Sequence, residues 1–201
     1  MTSLYAWRGT DDPERVDLAS VSVTSDSMRA HGTSVTPSYA SSWQLDVGLG
    51  WVTRSISVQV HGGQWSRSLL LEHAADGQWD AVTTSFGITG LPGPGLADPA
   101  ILQDAIDCDL GLCPVTNTMP IRRLRLNEQA VPATNLVMAW IEMPSLRVLR
   151  SDQVYASDPA AAPGTVHYAS ASGDFQTDLV IDSDGIVIDY PHLARRVQIP
   201  G

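Results

Sequence analysis

The 201 residues are 43% hydrophobic and only 17% charged, a balance that excludes global disorder and fits one domain, or at most two very small ones. All 12 basic residues are arginine, set against 22 acids for a net charge of -10, so the overall field repels phosphodiester backbones and anionic membrane surfaces. That field argues against nucleic-acid binding and against charge-driven membrane attachment.

Along the chain, MTSLYAWRGTDDPERVD has no basic n-region followed by an apolar run, and no window approaches 18 uninterrupted apolar residues. The expectation is a soluble, cytoplasmic protein without stable membrane insertion, residues 1–201 forming a single domain. The serine- and threonine-rich stretch 20–42 has no firm period and reads as edge strand or mobile loop. Period-two alternation then dominates. It is clearest in RSISVQV, where Ile56, Val58 and Val60 share one face and Ser55, Ser57 and Gln59 the other. Similar runs predict strands at 43–49, 68–72, 79–85, 122–127, 135–142, 145–150, 165–169, 175–181 and 185–190, separated by the turn signals HGG, ADG, EMPS and DSDG. One segment breaks this rhythm. GLPGPGLADPAILQDAI opens as a Gly/Pro loop, an insertion at 88–98, and then offers Asp98 as an N-cap with Pro99 at the first helical position, predicting a short helix over 99–106. The fold class is mainly β and antiparallel.

Catalytic signatures are missing: there is no GxSxG, no SxxK and no lysine for a phosphate loop, and the five histidines are scattered. Cys108 and Cys113 lack CxxC spacing and read as reduced thiols. DSDG (182–185) starts like a calcium loop but lies between two strands and lacks the remaining ligands, so a hairpin turn is favoured. Asp107 and Asp109 share one face of any strand through them, where they could bind a cation, act as an acid/base pair or face water. The run CDLGLCPVTNTMPIRRLRL is the most unusual. If 121–126 is extended, Arg122 projects from the face of Leu124 and Leu126. It then either pairs with a buried acid such as Asp107 or Asp189, or offers its fork of donors to an anionic or hydroxyl-rich head group. Of the six tryptophans, Trp140 reads as core, whereas Trp51, Trp65 and Trp79 adjoin glycine turns and could stand half exposed, packing or stacking on a sugar.

These residues resemble a family, the bacterial glycolipid-binding proteins, formerly a family of unknown function. Its D-x-D-x-x-x-x-P-x-T-N-T-x-P-I-R-R-L block is matched by Asp107, Asp109, Pro114, Thr116, Asn117, Thr118, Pro120, Ile121, Arg122, Arg123 and Leu124. Further matches run from Trp7 and Gly9 through Trp51, Thr53 and Arg54, Gly77 and Trp79, Gln153 and Tyr155, to Asp182, Gly185, Val187, Tyr190, Pro191 and Arg195. Val115 and Met119 depart from the family's usual aromatic and leucine, and the insertion at 88–98 is longer than the family pattern.

The resemblance implies a single-domain antiparallel β half-barrel with one or a few short helices covering its concave face, similar to the Lol-type lipoprotein carriers. It implies a lipid or glycolipid ligand and no cofactor, metal or catalytic residue. On this reading the sheet interior takes acyl chains. Trp51, Arg54, Trp79, Thr116, Asn117, Thr118, Arg122, Arg123, Gln153, Tyr155 and Tyr190 contact the ligand, with Asp107 and Asp109 as a structural polar cluster. Two rivals stand beside it: a protein-interaction module with a filled core, and an enzyme acting on an anionic small molecule through Asp107, Asp109 and Arg122.

Overall fold

The computed structural model describes residues 2–171 and 174–199. Among them are fourteen strands. The first seven are β1 (Thr2–Gly9), β2 (Val16–Val23), β3 (Met28–Val35), β4 (Ala40–Val47), β5 (Thr53–His61), β6 (Ser66–His73) and β7 (Trp79–Phe86). Then come β8 (Asp107–Leu110), β9 (Val131–Ile141), β10 (Val148–Ser157), β11 (Thr165–Ser170), β12 (Gln176–Ile181), β13 (Val187–Tyr190) and β14 (Ala194–Val197). The single short α-helix, α1, is Thr118–Arg123, and tight 3-10 turns occupy Leu49–Trp51, Pro99–Leu102 and Pro114–Asn117.

All fourteen strands form one sheet in the order 7-6-5-4-3-2-1-14-13-12-11-10-9-8. Every neighbouring pair is antiparallel except β8–β9, which is parallel. Two up-and-down meanders, β1–β7 and β9–β14, are therefore joined where β1 pairs with β14. The sheet is mainly β, as expected, and is not closed into a barrel: β7 and β8 are its two ends. They nevertheless approach through other elements. The Thr53 N–H donates to the Ile106 carbonyl at 3.1 Å and its hydroxyl accepts from the Cys108 N–H at 3.0 Å, fastening β8 beneath the start of β5.

Alternation explains most strands. Ile56, Val58 and Val60 are buried on the inner face of β5 and Gln59 is exposed on the other side. The stretch 20–42 is ordinary sheet, carrying the end of β2, all of β3 and the start of β4. The run 122–127 is not a strand. Its first two residues end α1, and Arg125 takes φ +58° as the chain turns back. Pro120 stands in the first turn of α1, where its missing N–H would have no intrahelical partner. The helix expected over 99–106 is a single 3-10 turn, capped as foreseen by Asp98, which accepts from the Ala100 N–H at 2.9 Å. DSDG is the β12–β13 hairpin turn, with Gly185 at φ +80° and the Asp182 carboxylate accepting from the N–H groups of Asp184 and Ile186.

The inner face is packed by the segments that lie across it. Leu102, Val115, Met119, Ile121 and Leu126 are all buried. Met119 belongs to the larger apolar cluster, which runs under β1–β7 and on to β8, β9, β10 and β14, and Ile121 to a second under β9–β13, so α1 lies where the two clusters meet, each buried side chain contributing about 1.5–3 kcal/mol. The hollow between Trp7, Trp43 and Val115 holds about 20 Å³, room for one water. The tryptophans beside glycine turns take the packing alternative, and the reading of Trp140 as core is the one corrected. Trp51 and Trp79 are 4% and 2% exposed and Trp65 is partly buried, whereas Trp140, read as core, is only half-buried.

Candidate functional site

Strand β8 and the turn that follows it bring the polar block together. Asp109 on β8 accepts from the Thr116 hydroxyl at 2.8 Å on one carboxylate oxygen and from the Gln153 amide at 2.8 Å on the other. The Tyr155 hydroxyl lies 2.9 Å from the Asn117 amide oxygen and 3.2 Å from that of Gln153, so one chain of hydrogen bonds links β8, the 114–117 turn and β10. Tyr168 packs edge-on against Tyr155 and Tyr190, with ring centroids 5.3 and 5.9 Å apart.

Over this network opens a cleft of about 390 Å³, with Asp109 and Asn117 among its polar groups, Glu142 at its rim, and Trp140, Tyr168 and Tyr190 among its walls. The parallel register pairs Asp109 with Trp140, which puts the indole beside the carboxylate. Gly111 makes room for it: a Cβ there would stand 2.9 Å from the Ile141 carbonyl and 3.4 Å from the Trp140 indole nitrogen.

A second polar group lies apart from the cleft lining. Asp107 is fully buried and takes Arg123 at 2.6 Å, while Arg123 also reaches the Trp51 carbonyl at 3.4 Å. Arg122 pairs with neither acid proposed for it. Asp107 is held by Arg123 and Asp189 by Arg195 at 2.9 Å, and the Arg122 guanidinium lies 5.3 Å over the Trp51 ring with its stem against Gly185. Thr118 is buried in α1, its hydroxyl without a partner. The remaining expected ligand residues lie elsewhere: Trp79 donates to the Ala105 carbonyl at 2.9 Å and stacks on His73, and Arg54 is exposed on β5. Sequence reasoning missed Trp140, Tyr168 and Glu142 as cleft residues. Trp140 sits in an apolar run that reads as core, and its approach to Asp109 depends on a parallel pairing that no local pattern announces.

Burial dominates the electrostatics of the cleft and its surroundings. Burial pushes the Asp109 carboxyl above the usual carboxylate range, partly offset by the hydrogen bonds from Gln153 and Thr116. Burial likewise raises Asp107 against the pull of Arg123, and raises Tyr155, Tyr168 and Tyr190, keeping those phenols protonated. Burial pushes the Cys113 thiol, on the cleft wall, up to about 12, so it stays protonated at neutral pH. At the rim, Glu142 is lowered by the Ser145 hydroxyl and then by Arg147. Among the described residues no three His, Cys, Asp or Glu side chains gather as a metal site, and no helix is long and apolar enough to cross a membrane.

A family model described as "Putative glycolipid-binding" matches residues 4–196. The chain belongs to that family. The run TNTMPIRRL begins in the 114–117 turn and continues through α1, so Thr116 and Asn117 join the Asp109 network while Ile121 plugs the core. The crystal structure of a DUF1089 family protein from Pseudomonas aeruginosa has the same fold, with TM-score 0.68 and 23% identity over 90% of this chain and 92% of that one. No curated protein matches the sequence.

Asp109 gives a pH signature. Its carboxyl holds a proton more tightly folded than unfolded, so its contribution to stability is fully present below the unfolded carboxylate pKa of about 4 and is lost as pH rises through the raised folded value. Calorimetry from pH 4 to 8 should show a shallower fall in melting temperature with rising pH for Asp109→Asn than for the wild type. Equal slopes would mean that Asp109 titrates normally.

Proposed function

We propose that the chain is a non-catalytic binder of glycolipids, which seats a neutral sugar head group in the cleft beside Asp109 and leaves the acyl chains outside the packed sheet interior. The observation that carries this reading is the pairing of aromatic walls with pre-oriented polar groups in one cleft. Each Asp109 oxygen already accepts one hydrogen bond and retains a lone pair for a sugar hydroxyl. Trp140 supplies a half-exposed flat ring on which an apolar sugar face can stack.

The charge of the lining favours a neutral head group over a phosphorylated or sulfated one. Two carboxylates, Asp109 and Glu142, line the cleft, and no arginine does. Arg123 is committed to Asp107, Arg147 to Glu142, and Arg122 to the Trp51 ring. The half-open sheet, with a plug on its inner face and a site at its mouth, is what a carrier of the Lol type would resemble.

Titration with octyl glucoside below its micelle threshold, followed by tryptophan fluorescence and calorimetry, tests this. Binding is expected, with glucose 6-phosphate weaker, and Trp140→Ala should reduce affinity about tenfold, the value of roughly 1.4 kcal/mol of stacking and lost contact area. Tighter binding of the phosphate, or no effect of Trp140→Ala, would refute the assignment. If neither sugar binds, the packed interior favours the protein-interaction module instead.

A further inference from the structure

At the β7 end of the sheet the surface changes character. Ile88 is 97% exposed, Phe86 75% and Val82 62%, the last in the middle of β7, Phe86 at its end and Ile88 in the loop that leaves it. From Ala81 to Ala97 there is no charged residue, although Asp80 and Asp98 stand immediately outside.

The loop is held in place by built contacts. Arg67, buried on β6, donates to the carbonyls of Pro92, Ser145 (2.7 Å) and Leu91 (3.2 Å). Gly95 bonds the far side: its N–H donates to the Leu146 carbonyl at 2.8 Å and its own carbonyl accepts from the Val148 N–H at 2.9 Å. Gly87, between the two bare side chains, has φ +76°, and a Cβ there would run into the Gln64 carbonyl and stand 3.0 Å from the Trp65 Cα. Phe86 and Ile88 are thus presented in water by a firm scaffold. The turn that receives the loop, 142–147, also gives Glu142 and Met143 to the cleft.

Area decides what such a tip fits. Three side chains exposing roughly 100–180 Å² each offer about half of the ~800 Å² per partner that a stable protein interface needs. Shallow insertion at a bilayer interface needs only a few exposed aromatic and aliphatic side chains on an uncharged patch. We propose that Phe86 and Ile88, with Val82 behind them, insert into the interfacial layer of an uncharged or zwitterionic lipid bilayer. Resting on the glycolipid reading above, the tip brings the cleft to head groups displayed at that surface. The net charge of -10 and the lack of any basic residue in the loop exclude anionic lipid as the attractant.

The test is co-sedimentation of the full chain with phosphatidylcholine vesicles that contain no glycolipid, so that it does not depend on the cleft. The wild type should partition onto them, and less so as phosphatidylserine is added. Phe86→Ser/Ile88→Ser should lose at least tenfold of that association while binding octyl glucoside as the wild type does, and Ile88→Trp should strengthen it. Failure of the wild type to sediment overturns the tip even if octyl glucoside binds, and leaves the sugar reading standing. So does equal sedimentation of the double variant. A wild-type dimer that the double variant converts to monomer also overturns it, assigning the patch to a second copy of the chain.

Discussion

Asp107→Asn should lower the melting temperature by about 6–20 °C. Asp107 is fully buried, and its partner, the Arg123 guanidinium 2.6 Å away, is 16% exposed, so the substitution leaves a largely buried cation without its counter-charge. Removing one member of such a pair costs about 3–5 kcal/mol. In a domain of this length each kcal/mol shifts the midpoint by about 2–4 °C. The pair itself is not an efficient stabiliser, since one Asp107 oxygen and one Arg123 nitrogen are buried with no partner. Replacing both residues, as Asp107→Leu/Arg123→Met, should therefore recover most of the loss. Thermal denaturation of the three variants checks both statements. A single variant as stable as the wild type, or a double variant no better than the single, would show that the pair does not hold α1 to β8.

That pair also marks where the sequence was legible and where it was not. A strand such as β5 declares itself because large apolar side chains point inward and polar ones outward, one residue apart. β2 hides the same geometry. Its inward residues include Asp17, which meets the buried Arg15 at 3.3 Å, and Ala19, while Val16 and Leu18 are exposed outside, so the hydrophobic signal is inverted. In RRLRLN the alternation is accidental. Arg122 and Arg123 close α1, where cations meet the helix C-terminus favourably, and Leu126 reaches the core only after the chain reverses at Arg125. Asp107, one of the acids considered for Arg122, thus went to its neighbour, because a helix turns successive residues by about 100° whereas a strand sends them to opposite faces. Within the site, Asp109, Thr116, Asn117, Gln153 and Tyr155 could be singled out as polar residues of one block and its matches. That Trp140 would complete their cleft follows from the parallel β8–β9 register, which is a property of the assembled sheet.

Arg67→Met should open the loop over 88–98 while leaving the sheet folded. The guanidinium fork answers three carbonyls from two segments distant in sequence, those of Leu91 and Pro92 in the loop and of Ser145 in the turn before β10. Hydrogen bonds to a charged group are worth about 1.5–3 kcal/mol each, and their loss together leaves three carbonyls, that of the buried Ser145 among them, without this donor. The stem packs below and a methionine can follow it, so the loss falls on the carbonyl contacts. Lysine should not restore them, because a single ammonium is a point donor and cannot span the fork's geometry. Two readouts localise the effect. Amide hydrogen exchange should quicken at Gly95 and Val148, whose N–H groups form the bridge across the seam. Limited proteolysis should cut within 88–98, in a loop that resists in the wild type, while exchange at Val58 in β5 stays slow. Because the β7 end of the sheet has no strand on its outer side, this loop is what spans from it to the second meander. If exchange instead quickened evenly across β5, β6 and β7, Arg67 would be holding the sheet itself, and the loop would be a passenger on it.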